Sequence, residues 1–409
     1  MDIEIRAIGP DRFPEFARVF EAAFGETSSE EELADYQRGV EYDRSIAAFD
    51  GDRIVGTGGA DSMELTLPGL TTIPIGGLTA IAVLPTYRRR GILRAMIARH
   101  FEDVEQHGEA VSALMASEST IYGRFGYGVA TLSADREIDT RHAALRDAPA
   151  ATGRLRLLDK DERAAVVRPF YDRVRRCQPG ELSRTDWWWE MFASDPSWRH
   201  RGESGRQDVV YEPEPGRVDG WLSYRIKANW DTGLPDNMIR VHQLFALTPE
   251  AGAALWRHCL DLDLASTVRL LTRPVDDPLS WYLRDHRRLR TVELADHLWI
   301  RLLDLPKALE ARRYAVEGRL VLEVSDAVRP GNQGRWLLEG GPDGASCRRT
   351  REQPDLALDV AELGAAYLGG TSLATLGRAG RVHEQVPGAL VRADAMLASD
   401  PPAWSTTHF

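Results

Sequence analysis

The stretch Ile81-Ala82-Val83-Leu84-Pro85-Thr86-Tyr87-Arg88-Arg89-Arg90-Gly91-Ile92-Leu93-Arg94-Ala95 reads as a strand, a tight basic turn and the start of a helix. The first amides of a helix have no intrahelical acceptor and carry the positive end of its dipole, so an anion placed there collects several hydrogen bonds at once. Arginines crowded at that end oppose the dipole, at a few tenths to ~1 kcal/mol each, unless an anion is bound. Taken alone, Arg88-Arg89-Arg90-Gly91 is a solvated basic turn; between a strand and a helix it points to a site for a pyrophosphate-like anion. Further along, Ser117-Glu118-Ser119-Thr120-Ile121-Tyr122-Gly123-Arg124-Phe125-Gly126-Tyr127 follows a short apolar run at residues 111–115. Ser117 is placed to cap a short helix there, and Tyr127 reads as a core aromatic with a satisfied hydroxyl.

Behind Val83-Leu84-Pro85, the turn resembles the coenzyme A loop of the GCN5-related (GNAT) N-acetyltransferases, (Arg/Gln)-x-x-Gly-x-(Gly/Ala). Arg88 and Gly91 match; Leu93 replaces the final small residue, where it would crowd a close approach of the pyrophosphate. The resemblance implies that the backbone of Ile81, Ala82 and Val83 pairs with the pantetheine arm of acetyl-CoA like an added strand, and that the strand at 111–115 splays away to open the slot. The loop from Arg88 through Arg89, Arg90 and Gly91, the first-turn residues Ile92, Leu93 and Arg94, and Ser117 with Glu118 are the implied coenzyme contacts. Tyr122 falls at the Tyr-x-x-x-Gly-(Phe/Tyr) motif, which implies a phenol near the coenzyme sulfur, able to protonate the departing thiolate.

The whole chain resembles the Eis (enhanced intracellular survival) family of these acetyltransferases. Ala116-Ser117-Glu118, the run from Ile121 to Tyr127, Asp276-Asp277-Pro278-Leu279, Leu298-Trp299-Ile300-Arg301-Leu302-Leu303-Asp304 and Ala308-Leu309 carry the likeness. It implies an α/β fold of tandem acetyltransferase-like (GNAT) domains followed by an α+β sterol-carrier-like domain. The expected boundaries are a catalytic domain at 1–147, a second GNAT-like domain without cofactor at 148–303, and the sterol-carrier-like domain at 304–409. It implies a homohexamer, acetyl-CoA as donor, no metal, and amines of aminoglycoside-like polyamines or lysine side chains as acceptors. It also points to the terminal carboxylate of Phe409 as the base. An amine must lose a proton before it attacks a thioester, and a desolvated carboxylate near a cationic substrate accepts it directly or through water. The ending Pro401-Pro402-Ala403-Trp404-Ser405-Thr406-Thr407-His408-Phe409, with two prolines and two aromatics, suggests an anchored tail.

The elements that must position these groups follow from apolar periodicity. Residues 3–8 alternate as a strand, and Phe13, Phe16, Phe20 and Phe24 recur near helical spacing. Strands at 45–49 and 54–58 flank the turn Asp50-Gly51-Asp52, a further strand at 62–67 ends at Pro68-Gly69, and 78–83 is the strand before the basic loop. An Ala, Asp and Pro-rich linker at 145–153 leads to a second α/β unit, with helices at 161–177 and 249–261 and strands at 208–211, 220–227 and 240–246. Strands at 318–324, 335–339 and 355–360 and helices from Leu363 and Ala389 make the third unit. Phe24, the run Trp187-Trp188-Trp189, Trp230 and the acidic residues Glu26, Glu203 and Asp231 are candidates for a cleft that holds cations. Three adjacent tryptophans cannot all face one core, so at least one faces a pocket or interface.

A chain of 409 residues with 43% hydrophobic content buries several cores, and its formal net charge of -11 argues against nucleic acid or an anionic membrane as partner. Cys177, Cys259 and Cys347 lie far apart without metal-ligand spacing, and no signal-peptide pattern or long apolar run occurs, so a cytoplasmic protein is expected. Two rival readings are a protein or peptide N-acetyltransferase and a non-catalytic coenzyme- or lipid-binding protein.

Overall fold

A computed structural model describes residues 3–146, 148–230 and 233–409. The first unit opens with β1 (Ile3–Ala7), α1 (Phe13–Phe24) and α2 (Glu30–Gly39). α1 buries Phe13, Phe16 and Val19, and α2 is started by a capping box between Ser29 and Glu32. There follow β2 (Ile46–Asp50), β3 (Arg53–Thr66), β4 (Thr72–Val83), α3 (Ile92–Gln106), β5 (Val111–Met115), α4 (Ser119–Tyr122), β6 (Gly128–Val129) and β7 (Leu132–Asp139). The strands expected at 54–58 and 62–67 are one strand, β3, because Gly59, Ala60 and Asp61 stay paired to Thr79, Leu78 and Gly77 of β4.

The second unit contains β8 (Arg154–Leu157), α5 (Arg163–Arg175), α6 (Asp186–Ser194), β9 (Gln207–Glu212), β10 (Gly220–Lys227) and β11 (Asn237–Ala246). It continues with α7 (Pro249–Leu260), β12 (Ala265–Arg273), α8 (Leu279–Tyr282), β13 (Leu289–Asp296) and β14 (Leu298–Leu302). The third unit is α9 (Leu305–Ala311), β15 (Gly318–Ser325), β16 (Gly334–Gly341), β17 (Gly344–Arg349), β18 (Leu356–Asp359), α10 (Val360–Ala366), α11 (Leu373–Arg378), β19 (Val382–Glu384) and α12 (Ala389–Leu397).

The sheets run β1-β2-β3-β4-β5-β14-β6, β13-β7-β12-β11-β10-β9-β8 and β17-β16-β15-β18-β19. They cut across the expected boundary near 147, because the first two units exchange strands. β7 lies between β13 and β12 of the second sheet, while β14 returns to the first and pairs with β5 along its whole length. The two crossing segments run side by side, with Ala130 N donating to Leu298 O at 2.9 Å and His297 N to Thr131 O at 3.0 Å. Each sheet would leave a row of unpaired backbone groups without the other unit's strand, so the two cores depend on each other. The third unit shares its core with the first sheet: Leu298, Ile300 and Leu302 pack in one cluster with Leu320, Leu322, Leu363 and Tyr367. A buried ion pair between Arg301 of β14 and Asp326, at 2.7 Å, crosses the same junction.

Candidate active site

β4 and β5 are parallel neighbours at only two positions, Gly76 with Ser112 and Gly77 with Ala113. Beyond Gly77 they diverge, so residues 78–83 of β4 face an open slot. Ala80 sits at φ 50, where the pairing register with β3 shifts, and Thr57 Oγ1 donates to its carbonyl at 2.8 Å. That bulge turns the strand just before Ile81, Ala82 and Val83, the residues expected to meet the pantetheine arm.

The basic loop closes the outer end of the slot. Gly91, at φ 82, is the N-cap of α3; it offers no side chain to the first amides, and no acidic residue stands in the first turn. Ile92, Leu93 and Arg94 therefore present their backbone N–H groups to an anion, and exposed Arg88, Arg89 and Arg90 surround them. Arg88 is held by Val83 O at 3.3 Å and Ala23 O at 3.2 Å, and the Arg90 guanidinium lies 5.0 Å from the Tyr87 ring centre. These features fit a pyrophosphate. Leu93 packs inward against the cluster that contains Ile97, Leu114 and Tyr122.

Exposed Ser117 and Glu118 lie between β5 and α4, but Ser117 does not cap the helix. The chain leaves β5 extended through Glu118, which is itself the N-cap and makes no side-chain capping bond, so the helix starts one residue too late for Ser117. Tyr122 ends that helix. Its ring is buried beside Leu78, Ile97 and Phe101 and meets Tyr127 edge-on at 6.0 Å. Burial, with Glu118 adding, pushes its phenol up to about 12, so it stays protonated at neutral pH. Tyr127 is a satisfied core residue, its hydroxyl 2.8 Å from Ser112 Oγ, which in turn meets His100 Nε2 at 2.7 Å.

On the opposite face of β4 lies a cavity of about 620 Å³. α1 and α2 contribute Phe13, Phe16, Phe20 and Tyr36; β3 contributes Gly59, Asp61 and Met63; the second unit contributes Arg184, Trp187, Trp188, Arg206 and His242; the chain end contributes Thr406 to Phe409. The Phe409 ring approaches β4 so closely that a Cβ on Gly77 would stand 2.8 Å from it and closer still to Met63; a larger residue there would displace Met63 and press on the chain end. Because alternate strand residues face opposite ways, Phe409 against Gly77 and Tyr122 against Leu78 lie on the two faces of one strand, beside the slot between them.

The tail is fixed, and the second unit fixes it. β11 and β12 are parallel neighbours as far as Val241 and Leu270 and then part. Where the first unit leaves a slot, Trp404 fills this gap: its Nε1 donates to Thr272 O at 3.0 Å, its ring lies 5.4 Å from that of Phe245, and Arg273 caps it at 4.9 Å. α7, which follows β11 as α3 follows β4, is capped by Thr248 and carries Glu250 in its first turn, so its end is closed to an anion. Past Trp404, buried Glu181 accepts from Thr406 N at 2.9 Å, Thr406 Oγ1 at 3.1 Å and Thr407 Oγ1 at 2.8 Å. Arg184 Nε donates to Thr407 Oγ1 at 3.1 Å, and its guanidinium stacks 3.8 Å from the Tyr171 ring centre and 3.9 Å from that of Trp188.

Of the cleft candidates, Glu26, Trp187 and Trp188 line the cavity; Trp189 is core. Phe24 and Trp230 are exposed elsewhere, Glu203 is committed to Arg240, and Asp231 lies outside the described residues. Sequence reasoning missed Asp61, Glu181 and Arg184. A carboxylate directly after Gly58-Gly59-Ala60 in a largely buried strand was the available signal for Asp61; Glu181 and Arg184 carried none, since their partners lie more than two hundred residues away. Among the described residues no group of three or more His, Cys, Asp and Glu is placed to hold a metal ion, and no helix is long and apolar enough to cross a membrane.

The acetyltransferase (GNAT) domain family matches residues 4–130 and a second acetyltransferase (GNAT) domain family matches 180–302; the sterol carrier protein domain family matches 305–405. An uncharacterized N-acetyltransferase of Streptomyces avermitilis is 40% identical over 408 residues, 99% of each chain. N-acetyltransferase Eis of Mycobacterium tuberculosis is 34% identical over 410 residues, 98% of each chain. The crystal structure of Eis1 from Mycobacterium abscessus superimposes with a TM-score of 0.86 at 34% identity, covering 99% of this chain and 100% of that one. Two GNAT domains, a sterol-carrier-protein domain and end-to-end similarity to these enzymes place the chain in the Eis family of N-acetyltransferases.

Proposed function

We propose that this acetyltransferase moves the acetyl group of acetyl-CoA directly to an amine of a polycationic acceptor, an aminoglycoside-like polyamine or a lysine side chain. The observation that carries the reading is the anchored chain end at Gly77, with buried Tyr122 across the strand at Leu78. Acetyl-CoA supplies an activated thioester. The terminal carboxylate of Phe409 accepts the proton of the attacking amine, the amides of Ile81, Ala82 and Val83 stabilise charge on the acetyl oxygen, and Tyr122 gives its proton to the sulfur. The amide C–N bond forms as the C–S bond breaks, and solvent restores both protonation states. The aromatic wall of Phe13, Phe16, Phe20, Tyr36, Trp187 and Trp188 suits a cationic acceptor. The division of labour between 1–147 and 148–303, with only the first binding coenzyme, belongs to the same reading. So does assembly into a homohexamer, which family membership supports and sedimentation tests.

The test compares thiol release from acetyl-CoA, over a panel of aminoglycosides, between the native chain and one with two residues added after Phe409. Loss of activity in the extended chain with coenzyme binding retained supports a base at the chain end. Equal activity removes the terminal carboxylate from the mechanism. Silence of the native chain on every amine, with acetylation of peptides, redirects the acceptor to protein.

A further inference from the structure

The cavity contains a carboxylate for which the reaction above has no use. Asp61 stands on the cavity face of β3 between Gly59 and Met63 and is paired across the strands with Gly77, the residue over which the Phe409 ring lies. Cross-strand partners share a face with Cβ positions about 4.5–5.5 Å apart, so Asp61 flanks the chain end. Asp61 is half-buried, and it lines the cavity. Yet no hydrogen bond or ion pair among the described residues reaches its carboxylate. Its acidic neighbours differ. Glu41 accepts from Ser62 N at 2.8 Å and Ser62 Oγ at 2.6 Å, and Glu21 accepts from Ser28 N at 2.6 Å. Arg44, the nearest cation of the first unit, is spent on Asp103 and Glu109, each at 2.8 Å. A half-buried carboxylate that faces a cavity and has no protein partner is free to receive a cationic group of a ligand, with a charge-assisted hydrogen bond as the gain.

We propose that Asp61 receives the second, unreacting ammonium of the acceptor, and that it makes this chain favour diamines and polyamines over monoamines. The inference rests on the amine-acetylating reading above and names the residue that selects the acceptor. An ammonium there completes the carboxylate's hydrogen bonds, while the reacting amine on the same molecule reaches the chain end beside it. Burial, with Glu41 adding and Arg44 opposing, raises the Asp61 carboxyl to about 7. The other charged or titratable groups of the cavity are Glu21, Glu26, Tyr36, Arg184, Arg199, Arg206, Arg225, His242, His408 and the Phe409 carboxylate. Asp61 is therefore half-charged near neutrality, and polyamine binding tightens as pH rises through that value.

The experiment uses the full chain with acetyl-CoA, reading thiol release with putrescine and with butylamine, which differ by one amine. Asp61→Asn is expected to lower the ratio of kcat/KM for putrescine over butylamine about tenfold or more, the loss of one charge-assisted contact, mainly through KM. Asp61→Glu is expected to restore part of the ratio. In the native chain KM for putrescine falls as pH rises through about 7, and Asp61→Asn lacks that limb. An unchanged ratio, or an equal fall in kcat for both amines, overturns the assignment. If Asp61→Asn does not fold, Asp61→Ser carries the same comparison. A native chain that acetylates neither amine nor any aminoglycoside overturns the parent reading instead.

Discussion

Replacing Trp404 by alanine separates the anchor of the chain end from the chemistry performed there. The indole fills the gap between β11 and β12, is only 5% exposed, and gives Nε1 to Thr272 O. Removing a buried tryptophan costs about 3–5 kcal/mol. Here that loss falls on docking of the tail, because the substitution leaves no charge stranded: Arg273 keeps Asp277 at 2.7 Å and Leu244 O at 2.8 Å. At 1.36 kcal/mol per factor of ten, docking weakens by two to nearly four orders of magnitude, about 150- to 5,000-fold. The assay pairs two readouts. Hydrogen exchange at the Thr406 amide, bonded to Glu181 at 2.9 Å, reports docking, and steady-state thiol release reports kcat. Trp404→Ala should speed the exchange and lower kcat together, with the KM for acetyl-CoA unchanged, since the slot proposed for the coenzyme opens between β4 and β5, away from the Trp404 anchor between β11 and β12. Faster exchange with undiminished kcat would refute a base at the chain end; unchanged exchange would refute the anchoring argument.

Tyr122→Phe should lower kcat by about 100- to 10,000-fold, the usual range for a general acid, and leave the KM for acetyl-CoA near the native value. Because the phenol is pushed up to about 12, it loses its proton only as pH rises through that region, so no alkaline fall in kcat below pH 10 should trace to it; rate profiles of the native chain check this. Gly91→Ala must hold a φ of 82, at about 1–2 kcal/mol, and tilt the amides at the start of α3, raising the KM for acetyl-CoA several-fold at unchanged saturating kcat. Asp326→Ala leaves the fully buried Arg301 guanidinium without its partner and should cost about 3–5 kcal/mol. As the pair joins β14 to the third unit, calorimetry should show both regions shifting, not the third unit alone.

What could be read along the chain was local. The basic loop before α3 needs only a strand, a glycine and a helix start within fifteen residues, and the structure gives it an uncapped helix end. The third unit's hairpin was equally plain, because β15 and β16 are neighbours in sequence and pair with each other. The tail's prolines and aromatics announced an anchor but not what it anchors to. Ser117 was misjudged as a cap because the extended backbone at Glu118 delays the helix, a matter of φ and ψ that residue type does not settle.

The rest depends on pairings between distant segments. Nothing local distinguishes a β14 that completes the first sheet from one that completes the second: its apolar run is compatible with either, and only β5 on one side and β6 on the other decide. The gap between β11 and β12 of the second unit is likewise filled by Trp404, more than a hundred residues further on, where the first unit leaves the matching gap open. Asp61 was one of two acids in β3 until the fold set it across from Gly77 and beneath the last residue of the chain. The sequence determined the family, the strand-turn-helix order before α3 and the place of Tyr122 after β5, because spacing within one turn or one strand carries them. Tertiary structure decided where the chain end is held and which carboxylates line the cavity, because burial and distance belong to segments joined only by folding.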